Sequence, residues 1–159
     1  MLTINILCCG RIKEQYLKEA IAEYSKRLQK YCKLNIIELP DEQVPDKLSD
    51  SIIESIKSKE AEKMLSKLDN TYLICCDLKG KHYTSEEFAD RIEKIALDGN
   101  SSITFVIGGT LGIGSQVIEK SNELICFSKM TFPHQLMRVI LLEQLFRSFK
   151  ISNNETYHR

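Results

Sequence analysis

Apolar and polar positions alternate in blocks along the chain, and the spacing of the apolar residues changes from block to block. Thr3–Cys9 (TINILCC) is a short apolar run that stops at Gly10, which predicts a first strand. From Lys13 to Tyr31 the residues Tyr16, Leu17, Ala20, Ile21, Tyr24, Leu28 and Tyr31 fall three and four apart, which predicts a helix with one buried stripe. Leu34–Leu39 reads as a second strand, ended by Pro40. Residues 40–50 hold two of the three prolines and four acids, so they read as a solvated loop. A second helix runs from Ser49 or Asp50 to Leu68, and Thr71–Asp77 (TYLICCD) is a third strand followed by a turn at Leu78-Lys79-Gly80-Lys81. Thr84, followed by Glu86 and Glu87, is a hydroxyl cap with first-turn acids and starts a helix that reaches Leu97. Ile103–Ile107 is a fourth strand, Ser115–Lys120 a helical turn and Leu124–Phe127 a fifth strand. A last helix covers Pro133–Ile151, and a polar tail, 152–159, follows.

Strand and helix alternation of this kind predicts an α/β fold with a mainly parallel sheet flanked by helices. The length of 159 residues, with no linker or repeat, predicts a single domain over 1–159.

Two places depart from a plain α/β pattern. At ~100° per residue the apolar residues of the last helix spread over most of its circumference, and only the sector of Glu143, Arg147 and Lys150 is polar. Either the helix is wedged deep in its own domain or its second apolar face meets another subunit. Five strands offer little surface to cover it twice, which favours a two-fold dimer. The other place is the segment after the fourth strand, where four of the seven glycines fall between positions 108 and 114. The alternatives are a tight turn and a ligand loop at the carboxyl end of a strand.

Composition and motifs remove several chemistries. There are 22 basic and 22 acidic residues, so the formal charge is zero, unlike that of a general nucleic-acid coat. The excess is local: residues 126–159 carry Lys129, Arg138, Arg147, Lys150 and Arg159 against Glu143 and Glu155. Gly114 is followed by Ser115-Gln116 rather than Lys-Ser/Thr, so the loop is not a P-loop, and Gly10 stands alone after the first strand. The six cysteines include two adjacent pairs in apolar runs, Cys8-Cys9 and Cys75-Cys76, with no C-x-x-C spacing. They read as buried, reduced thiols in a cytoplasmic protein with no secretory leader. No stretch approaches the ~18–20 apolar residues of a membrane span. His82, His134 and His158 are too scattered to predict a metal site; His82 reads as a loop residue and His134 as structural at a helix start. The last three residues, Tyr157, His158 and Arg159, offer a phenol, an imidazole and a fixed cation, although terminal residues are often frayed.

Taken together, Phe105-Val106-Ile107-Gly108-Gly109, the segment Phe127-Ser128-Lys129-Met130-Thr131-Phe132-Pro133-His134-Gln135, the helix 138–150 with Glu143-Gln144, and the terminal Tyr157-His158-Arg159 resemble the SPOUT superfamily of methyltransferases. The resemblance is to its branch acting on N3 of a pseudouridine in bacterial 23S ribosomal RNA, and it covers the whole chain. It implies a deep trefoil knot in the C-terminal part and S-adenosylmethionine bound mostly by backbone groups. By position, the cofactor contacts would fall on Cys76, Gly108, Phe127, Ser128, Lys129, Met130, Thr131 and Phe132. It implies a homodimer with the last helix in the interface. Tyr157, His158 and Arg159 are then the catalytic candidates. N3 is an imide nitrogen whose proton must leave before it attacks a sulfonium methyl, which suits an imidazole base and a guanidinium beside the developing anion. A non-catalytic nucleotide- or RNA-binding α/β module is the alternative reading. The small basic excess predicts weak binding to isolated RNA and dependence on an assembled ribosomal particle.

Overall fold

A computed structural model describes residues 1–158. The elements in chain order are β1 (Thr3–Cys9), α1 (Gln15–Leu28), β2 (Lys33–Leu39), α2 (Asp50–Leu65), β3 (Tyr72–His82), α3 (Ser85–Leu97), β4 (Ser102–Ile107), α4 (Ser115–Lys120), β5 (Glu123–Cys126) and α5 (His134–Ser152). All pairings in the five-stranded sheet are parallel, in the order β2-β1-β4-β3-β5.

The period-2 alternation of the strands divides two cores. Ile4, Ile6 and Cys8, with Ile74, Ile103, Phe105 and Ile107, point to the face covered by α1, α3 and α5. Leu7, Cys9, Leu73, Cys75 and Val106 point to the face covered by α2 and α4. The adjacent cysteines therefore split between the two cores, and all six are free. Burial pushes the Cys8 thiol up to about 11 and Cys75 up to about 12, so both stay protonated small hydrophobes.

Helix starts follow local chemistry. Ser49 caps α2 by accepting the Ile52 amide at 3.3 Å. Thr84 and Glu87 form a reciprocal capping box on α3, at 3.1 and 2.8 Å.

One element differs in kind from the sequence reading. Leu78–Lys81 is not a turn between β3 and α3. The strand continues to His82, which is a strand end rather than a loop residue. Its reason is non-local: Ile125 is paired with Cys76 and again with Lys81, and Cys126 with His82. Neighbouring strands keep a fixed spacing of ~4.8 Å, so one residue holds one partner on each edge of its strand. The two partners therefore flank Ile125, and residues 77–80 pass around β5. A Cβ on Gly80 would lie 2.5 Å from the Ile125 carbonyl carbon and 2.7 Å from the Cys126 nitrogen. Only glycine fits this approach of backbone to backbone.

α5 crosses the sheet between α1 and α3, burying Leu141, Leu142, Leu145 and Phe146. Tyr31 of the α1–β2 connection stacks on Phe149 at 5.6 Å, and Tyr157 of the tail meets Phe146 edge-on at 4.9 Å. Its own domain thus covers most of the helix that the sequence showed as apolar all round. Leu136, Val139 and Ile140 remain at least partly open.

Candidate active site

A cleft of about 760 Å³ opens at the carboxyl ends of β3, β4 and β5. That is where ligands of open α/β sheets bind, and the volume is in the range of small-molecule sites, roughly 300–1,000 Å³. Three segments wall it: the end of β3 from Cys76 to Lys79, the glycine loop after β4, and the segment leading from Ile125 through Phe132 into α5. Of the residues expected to meet a cofactor, Cys76, Gly108, Phe127, Ser128, Met130, Thr131 and Phe132 all line this one cleft. Lys129 belongs to the same segment, but the lining does not include it.

The walls are held by main-chain contacts. Gly112 takes φ +91° and donates its amide to the Gly109 carbonyl at 3.1 Å, closing the glycine loop on itself. A Cβ on Gly108 would lie 2.7 Å from the Gly112 carbonyl carbon, so this loop needs its small residues. In the opposite wall the Cys126 thiol donates to the Ser128 carbonyl at 3.0 Å, and the Ser128 hydroxyl accepts the Met130 amide at 3.0 Å. Ile107, Ile113, Ile125 and the Phe127 and Phe132 rings give the cleft apolar surfaces. Burial pushes the Cys76 thiol up, so it offers surface rather than a nucleophile. Apolar walls with backbone groups between them suit a ligand with a flat apolar part.

Several residues of the site gave no motif in the sequence. His134, at the start of α5 as expected, lines both the cleft and a small recess behind the glycine loop. Its Nδ1 is buried without a partner, and burial followed by the Arg138 charge holds its pKa below the ordinary value. Glu60, only 4% exposed, faces the same recess and accepts the Glu42 amide at 3.3 Å. Burial raises its pKa. A signal existed: Glu60 falls four residues after Ile56 and four before Met64, on the apolar stripe of α2, where a carboxylate is out of place.

Arg138 is 1% exposed. Its Nη2 donates to the Cys9 and Gly10 carbonyls at 2.9 and 2.8 Å, and its Nη1 to Glu38 at 2.7 Å. The guanidinium therefore ties α5 to the carboxyl ends of β1 and β2. Of the cations in excess in that segment, Arg138 is therefore used inside the fold. Arg147 is paired with Glu143 at 2.7 Å and Lys150 with Glu155 at 2.6 Å. Of the basic residues counted there, Lys129 alone has no ion pair among the described residues.

The structure does not bring Tyr157 and His158 to the cleft of their own chain. Tyr157 donates its hydroxyl to Glu143 at 2.8 Å, with the Arg147 guanidinium 4.8 Å from its ring centre. Burial, then the bond to Glu143, raises the Tyr157 pKa. Arg147 Nη1 lies 3.0 Å from His158 Nδ1, and Glu86 Oε1 lies 2.6 Å from His158 Nε2. A guanidinium only donates, so this contact assigns Nδ1 as acceptor and places the ring proton on Nε2, facing Glu86. A backbone hydrogen bond, then the contact with His158, holds the Glu86 carboxyl below its usual range. Arg159 lies outside the described residues.

Among the described residues no helix is long and apolar enough to cross a membrane, and no group of three His, Cys, Asp or Glu could hold a metal ion.

Known proteins agree with this architecture. A protein from Haemophilus influenzae, described as a probable methylase family protein, superposes with a TM-score of 0.56 over 98% of this chain and 70% of its own, at 11% identity. A putative methylase family protein from Neisseria gonorrhoeae gives 0.50 over 99% and 86%, at 12% identity. At these identities the likeness is one of fold. Sequence relatives are much nearer. Proteins named ribosomal RNA large subunit methyltransferase H from Clostridium acetobutylicum and Clostridium perfringens are each 55% identical to it over 99% of this chain and 100% of theirs. The family described as predicted SPOUT methyltransferase matches residues 2–158, so the chain, with its parallel sheet and its cleft at the strand ends, belongs to the SPOUT methyltransferases.

Proposed function

We propose that the chain acts as one SPOUT domain that methylates N3 of a pseudouridine in 23S ribosomal RNA, with S-adenosylmethionine as donor. The observation that carries this is the meeting of Cys76, Gly108 and the 127–132 segment in one cleft at the strand ends. The full-length likeness to proteins named as ribosomal RNA methyltransferases supports the substrate class. It leaves the non-catalytic alternative unfavoured.

The donor, when bound, supplies an electrophilic methyl group. The chain supplies everything else. Backbone groups of the 127–132 segment and the glycine loop would hold the adenosine part between the apolar walls. The N3 proton must then be taken and the resulting charge on the ring met by a cation. His158, Arg159 and Tyr157 are our candidates for base, anion stabiliser and orienting group. Both nitrogens of His158 are engaged by Arg147 and Glu86 in its own chain, away from that chain's cleft. In a homodimer formed through α5, each tail would complete the partner's cleft. The open stripe of Leu136, Val139 and Ile140 supports that interface. A C-terminal trefoil knot is supported by the double pairing of Ile125, around which residues 77–80 pass.

The substrate is in the cytoplasm, within the ribosomal particle. The test is mass spectrometry of 23S ribosomal RNA from cells lacking the protein. One pseudouridine should lose a methyl group, and purified protein with S-adenosylmethionine should restore it on ribosomal particles, with short RNA hairpins poor substrates. An unchanged set of methylated pseudouridines removes the proposal.

A further inference from the structure

The cations expected on the last helix are spent inside the fold, yet exposed ones stand elsewhere. Arg11 lies just beyond the end of β1, Lys79 and Lys81 on the outer part of β3, and Lys129 beyond β5. All four are exposed, and none has an ion pair among the described residues. They share the sheet edge on which the cleft opens. The Gln135 side chain on the first turn of α5 reaches the Arg11 carbonyl at 3.4 Å, which places Arg11 beside that mouth. Lys79 itself lines it.

The two lips of the cleft also resemble each other. One presents Leu78 next to Lys79, the other Met130 next to Lys129. Leu78 is 59% exposed and Met130 76%. Each lip thus pairs a large bare apolar side chain with a free ammonium. Carboxylates stand on the same side: Asp77 lines the cleft and accepts the Lys79 amide at 2.9 Å, the Asp41 carboxylate lies beside Gly10, and Glu38, which accepts the Ile12 amide at 2.9 Å, is neutralised by Arg138.

We propose that Arg11, Lys79, Lys81 and Lys129 form a rim that seats phosphates of the ribosomal RNA across the cleft mouth, while Leu78 and Met130 meet base faces. The inference rests on the methyltransferase reading above and names the surface through which that site receives its substrate. Phosphate contacts fix register without reading sequence, whereas apolar side chains at a mouth can cover the stacking surface exposed when one base leaves its neighbours. A second copy of this chain is the competing occupant, but four like charges around one opening oppose packing against an identical rim.

The test compares the full-length protein with Arg11→Ala/Lys81→Ala, two rim residues outside the cleft lining, and with Lys67→Ala/Lys120→Ala as a control of equal charge far from the cleft. Binding to ribosomal particles is measured by sedimentation across a salt series, alongside steady-state methyl transfer and S-adenosylmethionine calorimetry. The rim pair should weaken particle binding about tenfold and lower the log–log salt slope by roughly 1.4, at ~0.7 per lost contact on a single strand. KM for particles should rise with kcat and cofactor affinity held within about twofold, the pattern of lost ground-state binding. Arg11→Gln/Lys81→Gln should behave alike and guards against a fold defect in the alanine pair. A rim pair that matches the control overturns the inference, as does one whose oligomeric state changes. If the wild type binds particles with the expected salt slope but transfers no methyl group, the methyltransferase reading fails; an active wild type with an insensitive rim pair sinks the rim alone.

Discussion

The cleft and the tail are both candidate functional regions, but they are built differently. The cleft is framed by close main-chain contacts, Gly80 against β5 and Gly108 against Gly112, with the buried Arg138 guanidinium holding two neighbouring strand-end carbonyls. The tail is made by side chains: Tyr157 on Glu143, and His158 between Arg147 and Glu86. Main-chain construction fixes shape and tolerates little change. Side-chain construction near the surface costs little to release, which suits the proposed role of the tail in another protomer's site. The difference predicts that damage to the cleft appears first as lost stability, and damage to the tail first as lost chemistry.

Arg138→Met tests the strongest form of this contrast. It leaves two strand-end carbonyls without their donor, while Glu38, 36% exposed, keeps the Ile12 amide, so the loss should be about 2–4 kcal/mol. Thermal melting should fall by roughly 10 °C at this chain length. Gly80→Ala comes next, because the added carbon meets only backbone and nothing flexible can yield. Overpacking of this kind should cost about 3 kcal/mol, read as a lower midpoint in urea. A wild-type midpoint would refute the close approach.

Removing Tyr157–Arg159 should invert the pattern. Methyl transfer should drop by about 100-fold or more, the usual scale for loss of a general base. Calorimetry should find S-adenosylmethionine affinity within about twofold of wild type, as expected when an interaction made only in the transition state is lost. Full activity in that truncation ends the catalytic assignment of the tail. Arg147→Met is milder: its ion pair with Glu143 is partly exposed, so denaturation should register ~1 kcal/mol or less.

The smallest effect is a slope. Folded His134 has a pKa below its ordinary value, so the native state favours the neutral ring. That contribution is complete above the ordinary value of about 6.5 and is lost as pH falls through the lowered value. In His134→Gln, the melting temperature should therefore fall less between pH 7 and pH 5 than in wild type. Equal slopes would show that protonation of His134 is not resisted by the fold.

Much of the fold was legible because its signals are local. Apolar spacing marked the strands and helices, Thr84-x-x-Glu87 marked a helix start, and the cysteine pairs marked strands buried on both faces. What was not legible depends on distant partners. Nothing near Leu78–Lys81 tells the chain to stay extended around its glycine, since the reason is the backbone of Ile125 and Cys126 some 45 residues later. Arg138 and Lys129 count equally as charge in a sequence, yet one is buried under three acceptors and the other stays free. The cleft segments at 76, 108 and 127–132 came from family resemblance rather than from pattern, because a site made of backbone leaves few distinctive side chains. The Tyr157-His158-Arg159 triplet was visible as chemistry, but where the tail docks was not.

The passage of residues 77–80 around β5 also bears on how the protein behaves in a crowded solution. The last strand of a sheet ordinarily offers unpaired amides and carbonyls to any other extended chain. Here the four-residue β5 is also met by Lys81 and His82, so the edge on that side is short, and the long open edge of the sheet is β2. That edge carries Lys33 and Glu38, charges that discourage a second strand from adding to it. The loop that shapes the cleft thus also leaves little extended backbone for another chain to pair with on that side of the sheet.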